Sequence, residues 1–589
     1  RRKDNGMAVQ FIFGGSGRGK TYFLQHKIME EAVNNPKKDY IMIVPEQFTM
    51  QTQKDMIKIS PGHGIMNIDV QSFVRLAFRV FSETGAGNLP VLDDLGKIMI
   101  LKKVLGQKKD ELKYFGRNIN KDGYISEIKS FMSELIQYGA DEDEIERMIK
   151  ASEKKPVLKY KLQDMSVAFK SFKEYIEKNY ITSEELLSVF ADVVSQSELL
   201  KGAVICLDGF TGFTPLQYRL LRELIKTAEM VYVTVTADDR ESVINKGKNY
   251  QLFFMSRKTV HNIRQIASET GVEVLDDIWT GKEISQTRFG ESEELEWLER
   301  NLFRYPYKRY NKKNEVPDIS CHVLKYAEDE VDFVVQKIKG LLVGGCRYRD
   351  IAIVAGSLET YGSIIEHSMK KAGIACFVDQ KRGVQSSVPV RAIDALLQII
   401  IKDFAYEDVM DYLKSCLSWT SDSQNDILDN YLLATGIRGF KSWNREWNTA
   451  YAYRRMTDES KDFANGVVEN VRLGVLENLS ELYEKTAKGK HTVREYAASL
   501  FEFFERQHFY EKLMEFADEY EENENFDMAS EYRQLYGMVI EVFEKLVSLM
   551  GDEEMSLKEF KDILDVGFSE ARIGVIPPGI DQVMAGDMS

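Results

Sequence analysis

Proline is scarce in this chain, 11 of 589 residues, about 2% against a usual ~5%. So little proline in so long a chain favours a helix-rich fold and excludes Pro-rich or collagen-like segments. Cysteine is sparse too. Cys206, Cys321, Cys346, Cys376 and Cys416 stand no closer than 25 positions apart. Without a CxxC pair, local spacing shows no zinc or iron–sulfur site. An odd, scattered count fits a reducing cytoplasm, the expected location. The seven histidines show no HxxxH pairing. No run of 18 apolar residues occurs, so no membrane span is expected. Basic residues are outnumbered, 78 Lys and Arg against 93 Asp and Glu, a net charge of 78 − 93 = −15. That balance excludes a uniformly phosphate-neutralising nucleic-acid binder but not one local DNA surface. The apolar stretch after Arg1–Met7 stops at Phe13, too short for a signal peptide. Residues 1–6 are read as tag or leader, with the fold beginning at Met7.

With 44% hydrophobic and 29% charged residues, the composition is that of a globular protein, and the length suits about four domains. Val9–Phe13 reads as a strand that enters Gly14-Gly15-Ser16-Gly17-Arg18-Gly19-Lys20-Thr21. A helical pattern follows (Phe23, Leu24, Ile28, Met29, Ala32) up to Asn34-Asn35-Pro36, and then the all-apolar run Tyr40–Val44. Strand, loop, helix and buried parallel strand make one βαβ unit. From about Leu92 to Leu200 the pattern is helical, before strand signals return at Ala203–Leu207 and Met230–Val235. Glu291–Val316 begins acidic and turns basic and aromatic, and reads as a domain connection. Strand signals recur at Ser320–Leu324, Ile351–Val354 and Ala375–Val378. Val390 to about Ile563 is helical again, and Ile573–Ile576 and Gln582–Asp587 read as terminal strands of a sheet. The plan of α/β unit, helical insertion and α/β resumption thus occurs twice, without a short repeat.

Gly14-x4-Gly19-Lys20-Thr21 satisfies the Walker A pattern. Its glycines let backbone N–H groups converge on phosphate, Lys20 can reach the β and γ phosphates, and Thr21 can ligate Mg²⁺. Strand-to-helix placement supports nucleotide binding by Gly14, Gly15, Ser16, Gly17, Arg18, Gly19, Lys20 and Thr21; the bland alternative is a glycine-rich turn with a solvated lysine. Val204–Asp208 ends a strand on an acid suited to Mg²⁺ through ATP, although Asp208 also suits a plain turn before Gly209. Where an adjacent glutamate would serve as base stands Gly209, so water would be poorly oriented for attack and no catalytic residue is assigned.

Leu207-Asp208-Gly209-Phe210-Thr211-Gly212, continuing through Gln217-Tyr218-Arg219-Leu220-Leu221, resembles motif II of superfamily 1 helicases. Gln217, Tyr218, Leu220 and Leu221 match, whereas Gly209, Thr211 and Gly212 replace the chemical residues. Asp69–Ala77 resembles the segment after motif Ia. Asp350–Ser357 resembles motif IV, with Gly356 near its arginine position, and motif III is missing around Val233–Asp238. This pattern of decay is similar to the AddB family, as are Val44-Pro45-Glu46-Gln47-Phe48-Thr49 and Ile576-Pro577-Pro578-x-x-Asp581-Gln582-Val583-x-x-Gly586-Asp587-Met588.

The resemblance implies an α/β fold of two RecA-like P-loop domains with parallel sheets, each interrupted by a large helical insertion. The expected division is residues 7–90 plus 201–290 (first RecA-like domain), 91–200 (insertion), 291–317 (linker), 318–390 plus 564–589 (second RecA-like domain) and 391–563 (insertion). It also implies ATP and Mg²⁺ as cofactors, an AddA-type helicase–nuclease subunit as partner, and action on single-stranded DNA and duplex ends with Chi-type recognition. The chain would then be an N-terminal fragment, with the nuclease domain and its 4Fe–4S cluster in a missing C-terminal part. Two other classes stay open, an active motor helicase of the same superfamily and a P-loop enzyme unrelated to DNA.

Glu46, Gln47 and Thr49 follow the second strand, where such helicases contact the DNA backbone, and equally suit a capped helix start. Ser72 and Phe73 could touch a strand by hydroxyl and stacking, or serve in the core. The Arg304–Lys313 run, interleaved with tyrosines, could contact phosphates or form a solvated linker. Residues 501–560 carry 17 acidic and 5 basic residues, a net of −12, so the rest carries −15 + 12 = −3. The acidity belongs to one helical segment, as a solvated face or a surface for a basic partner.

Overall fold

The computed structural model describes residues 6–62, 64, 66–86, 89–116, 123–177, 179–281, 287–290, 292–310, 318–447, 457–574 and 581–588. Contacts divide the chain into two units: Arg1–Leu92, Ser130–Lys155 and Lys173–His322 form one, and Asp93–Lys129, Pro156–Phe172 and Val323–Ser589 form the other. The fold class is α/β.

The first unit is built on a parallel seven-stranded sheet. Its strands are β1 (Ala8–Gly14), β2 (Tyr40–Ile43), β3 (Ile68–Gln71), β6 (Val204–Leu207), β7 (Met230–Thr236), β8 (Glu273–Val274) and β9 (Ile278–Trp279), in the order β3-β2-β6-β7-β1-β8 with β9 also on β1. A separate ribbon pairs β4 (Val91–Leu92) with β5 (Ile181–Thr182). β2 and β6 are buried at every position because helices cover both sheet faces. Alternation along β1 sends Val9, Phe11 and Phe13 into one core and Ile12 into the other. The Ile12 side is closed by α1 (Lys20–Asn34) and α2 (Thr49–Ile59), the opposite side by α3 (Phe73–Thr84) and helices including Pro215–Thr227 and Phe254–Thr270. Leu24, Ile28, Met29 and Ala32 of α1 are buried, as their spacing predicts. Each fully buried side chain of Leu size contributes ~1.5–3 kcal/mol.

Gln217 and its neighbours, matched above to motif II, have structural reasons to be there. Thr214 and Gln217 close a reciprocal capping box at the start of helix Pro215–Thr227, with Pro215 in its first turn. Leu220 and Leu221 are fully buried, and the Tyr218 hydroxyl donates to Thr259 at 3.3 Å. The segment is set by capping and packing.

In the second unit β10 (Ala352–Ala355), β11 (Cys376–Val378) and β16 (Val583–Asp587) form a parallel sheet in the order β10-β16-β11. Helices Ala327–Val343 and Leu358–Ala372 cover one face through Val335, Ile338, Ile365 and Met369 on Val583 and Ala585. Between β12 (Arg382–Gly383) and β15 (Arg572–Ile573) the chain is largely helical, broken by a ribbon of β13 (His491–Thr492) and β14 (Glu554–Met555). Phe503, Phe504, Phe509 and Phe543 are buried there, whereas Tyr510 and Phe526 are exposed.

Two strand expectations need correction. Ser320–Leu324 is not a strand: among the described residues it has no ladder partner, and Val323 is 92% exposed. An apolar run becomes a strand only where a neighbour satisfies its backbone. Ile573 lies in β15, which pairs antiparallel with β12, outside the sheet that holds β16. Residues 1–5, Ile576, Pro577 and Pro578 lie outside the described residues. Among the described residues no helix is long and apolar enough to cross a membrane.

Candidate nucleotide site

The glycine-rich loop joins the end of β1 to α1. Gly17 and Gly19 hold left-handed backbone (φ 70° and 80°), which only glycine adopts without strain and which turns the chain into the helix. No side chain caps α1, so its first N–H groups face an incoming anion. Ser16 is exposed at the tip and Gly14 is buried at the strand end. The Lys20 ammonium donates to the Gly15 carbonyl at 2.8 Å, folding back over the loop. Burial pushes the Lys20 pKa down to about 8, against the attraction of Asp208 and Glu299.

Strand order explains how Thr21 and Asp208 meet. β7 lies between β1, which carries the loop, and β6, which ends at Asp208. Thr234 on β7 bridges the gap: its hydroxyl donates to Asp208 Oδ1 at 2.6 Å, and the Thr21 hydroxyl donates to the same oxygen at 3.2 Å. Asp208 is buried. A hydroxyl and a carboxylate this close, beside a lysine and a free helix terminus, suit Mg²⁺ carried by a nucleotide phosphate. Thr21 and Asp208 would hold the ion, which would screen phosphate charge, and Lys20 with the loop N–H groups would hold the phosphates. Among the described residues no cluster of three or more His, Cys, Asp or Glu side chains is placed to hold a metal by itself. Gly209 follows with φ 80° beside Pro45 and Phe48. A glutamate there would be strained, so the backbone itself disfavours the base found in related motifs.

Three parts of the site escape the sequence reading. First, Arg288, Phe289 and the helix Glu293–Asn301 lie on the loop. The Arg288 N–H donates to the Gly17 carbonyl at 2.9 Å, and Arg18 sits over the Phe289 ring at 5.3 Å. Glu296 and Glu299, on the helix Glu293–Asn301, pair with Arg18 at 2.7 and 3.2 Å and leave it 6% exposed. Any side chain at Gly15 would strike the Glu299 carboxylate. Most of the acidic half of the expected connection is thus the helix Glu293–Asn301, packed on the glycine-rich loop. Second, Asp238, just beyond β7, accepts from Arg240 and Arg304, each at 2.7 Å. Burial opposes its ionisation, but these hydrogen bonds hold its carboxyl well below the usual carboxylate range. Third, a cavity of about 170 Å³ is lined by Gly14, Gly15, Asp238, Trp279, Glu299 and Arg304, among others.

The remaining candidates gather at the carboxyl ends of neighbouring strands β3, β2 and β6. Glu46 is exposed and accepts from Arg75 at 2.8 Å, and Gln47 is exposed. Thr49 is buried, its hydroxyl donating to the Glu46 carbonyl at 2.9 Å. Ser72 is buried and accepts from the Arg75 N–H as the α3 cap. Phe73 is buried, with its ring centroid 5.4 Å from that of Phe210 and 6.4 Å from that of Phe213. The outer surface of this edge is therefore Glu46, Gln47 and Phe48, with Ser72 and Phe73 beneath.

Loop, inserted strand and acid together define an α/β protein with a glycine-rich strand-to-helix loop and one strand between the loop strand and the acid strand. Residues 11–299 match the family model described as ADDB, N-terminal. Over them the chain is similar to the N-terminal part of AddB proteins. Over 589 residues it is 40% identical to the B subunit of the ATP-dependent helicase/deoxyribonuclease of Lachnoclostridium phytofermentans, covering 99% of this chain and 50% of that protein. Proteins of the same description from Acetivibrio thermocellus and Clostridium novyi are each 32% identical, over 588 and 583 residues, again covering 99% of this chain and 50% of each relative. The chain therefore spans about half the length of these relatives.

Proposed function

We infer that this chain is the helicase-like N-terminal part of the B subunit of an ATP-dependent helicase–nuclease that processes DNA ends for recombinational repair of double-strand breaks. It binds ATP with Mg²⁺ through Gly14–Thr21 and Asp208, guides single-stranded DNA across the β3-β2-β6 edge with Chi-type scanning, and pairs with an AddA-type subunit that supplies the motor. The seven-stranded sheet serves as the first RecA-like domain and that of β10, β16 and β11 as the second, each with a helical insertion. A cytoplasmic setting follows from this role.

One observation carries the reading of a nucleotide binder with little hydrolysis. The Thr21–Asp208–Thr234 arrangement is complete, while the next position is a left-handed glycine in place of a base. Without a glutamate after Asp208 to orient water, bound ATP stays intact and acts as a structural or signalling ligand. The test is ATP-analogue binding and ATPase turnover on the same preparation, with and without single-stranded DNA. Micromolar binding with negligible turnover is expected. Robust DNA-stimulated turnover lost in Lys20→Ala would instead identify a motor helicase.

A further inference from the structure

The segment after the acidic helix is fastened at both ends and bare in between. At one end the Arg304 side chain reaches Asp238 at 2.7 Å and lies over the Phe253 ring at 4.6 Å. At the other, Tyr310 packs on Trp297 with ring centroids 5.2 Å apart. Between these anchors Tyr305 and Tyr307 are 98% and 77% exposed, with Lys308 and Arg309 exposed beside them, and Phe303, just before the first anchor, is 80% exposed. Large aromatic side chains are normally buried, because leaving one in water forgoes the favourable burial of its apolar surface. Phe303 moreover holds left-handed backbone (φ 57°), a conformation a bulky residue seldom takes. Residues 303–313 contain Arg304, Lys308, Arg309, Lys312 and Lys313 and no acid, in a chain of net charge −15.

We propose that the anchored strap 303–309 is a stacking platform for single-stranded DNA, with bases lying on Tyr305, Tyr307 and Phe303 and phosphates held by Lys308 and Arg309. Exposed rings interleaved with cations, on a backbone pinned at each end, offer what an unpaired strand seeks: π-faces at short intervals and positive charge alongside. Charge complementarity favours a polyanion over an apolar protein surface. The platform takes any base, since every base has a π-face. The proposal rests on the reading of this chain as a DNA-binding subunit and adds a surface separate from the β3-β2-β6 edge.

The test is fluorescence anisotropy of a labelled oligo-dT with the 589-residue chain at several salt concentrations. Tyr305→Ala with Tyr307→Ala is expected to weaken binding at least ~10-fold, with thermal melting unchanged because both rings are exposed. Tyr305→Phe with Tyr307→Phe should bind as the parent does, since stacking needs no hydroxyl. Lys308→Glu with Arg309→Glu should weaken binding and flatten its salt dependence. Parent-like binding by the double alanine variant would overturn this proposal and leave the DNA-binding reading intact. Equal losses in the alanine and phenylalanine pairs would also overturn it. No binding by the parent chain would overturn both.

Discussion

The two parallel sheets of this molecule differ in how much of each is enclosed. The seven-stranded sheet is covered on both faces, and its central strands are continuous apolar runs. The three-stranded sheet is covered by helices on one face and only partly covered on the other, so Ile353 packs inward and Phe377 is buried on the far side, while Val354, neighbour of Ile353 in sequence, is 64% exposed. Two layers of helices fix the first sheet's strand ends firmly enough to hold hydroxyl and carboxylate oxygens 3.2 Å apart across an intervening strand. On the second sheet the corresponding turn after β10 carries Gly356 and Ser357. Chemical detail sits on the sheet that is enclosed, as a pre-organised site requires.

Core truncation should break this comparison most severely. Ile205→Ala, in the middle of β6 and fully buried, should cost ~2–5 kcal/mol. Val354→Ala on the partly covered face should cost under ~0.5 kcal/mol. Denaturant titration read by circular dichroism checks both. Equal costs would mean that Val354 is covered in solution. Next in size, Lys20→Ala should weaken ATP binding ~100-fold, because it removes a charge-assisted contact to phosphate. Calorimetry measures the loss, and parent-like affinity would remove the loop from nucleotide binding. Asp208→Asn should lower affinity ~10-fold in Mg²⁺ and little in EDTA, since the carboxylate would act through the ion. Thr234 offers a sharper version: Thr234→Val keeps the shape and removes the 2.6 Å hydrogen bond that orients Asp208.

Lys20 also predicts a pH dependence. Its pKa stands at about 8, and the ammonium is the form that binds phosphate. Bound nucleotide adds negative charge and raises that pKa. Affinity should therefore be flat below about pH 7 and fall as pH rises through 8, by up to tenfold per unit, until the bound-state pKa is reached. Titrations at fixed ionic strength from pH 6.5 to 9.5 would show it. A flat profile would mean that Lys20 remains charged in the empty site.

The legible parts of the site were those whose residues are neighbours in sequence or end an obvious strand. Gly14–Thr21 declares itself by spacing, and Asp208 by closing an apolar run before glycine. The four matched scaffold residues after Asp208 were equally readable, since capping and helical packing are local. What stayed hidden depends on contacts far apart in sequence. Thr234 matters only because β7 is inserted between β1 and β6, and nothing inside Met230–Thr236 marks one threonine over the other. Glu299 meets Arg18 across 281 positions. Its run of carboxylates looks like any solvated helical face until the fold sets it on the loop. Ser320–Leu324 went wrong for the converse reason: its local pattern suits a strand, but a strand also needs a neighbour.

The smallest expected effect sharpens the comparison most, because it concerns charge within the enclosed site. Glu299 lies beside Gly15 and pairs with Arg18, so a nucleotide phosphate arriving at the loop meets a carboxylate already in place. At ~6 Å and an effective dielectric near 20, one unit charge on another is worth ~3 kcal/mol before ionic screening and rearrangement reduce it. Glu299→Gln removes that repulsion and one of the two ion pairs that hold Arg18, yet keeps the size of the side chain. ATP affinity should rise roughly 5-fold, most visibly at low salt. Glu296, nearer to solvent, should give a smaller gain when changed to Gln. Calorimetric titration of both variants at two salt concentrations decides the matter. Weaker binding in Glu299→Gln would mean that the carboxylate positions Arg18 for the nucleotide, making the acidic helix part of the phosphate site and not its competitor.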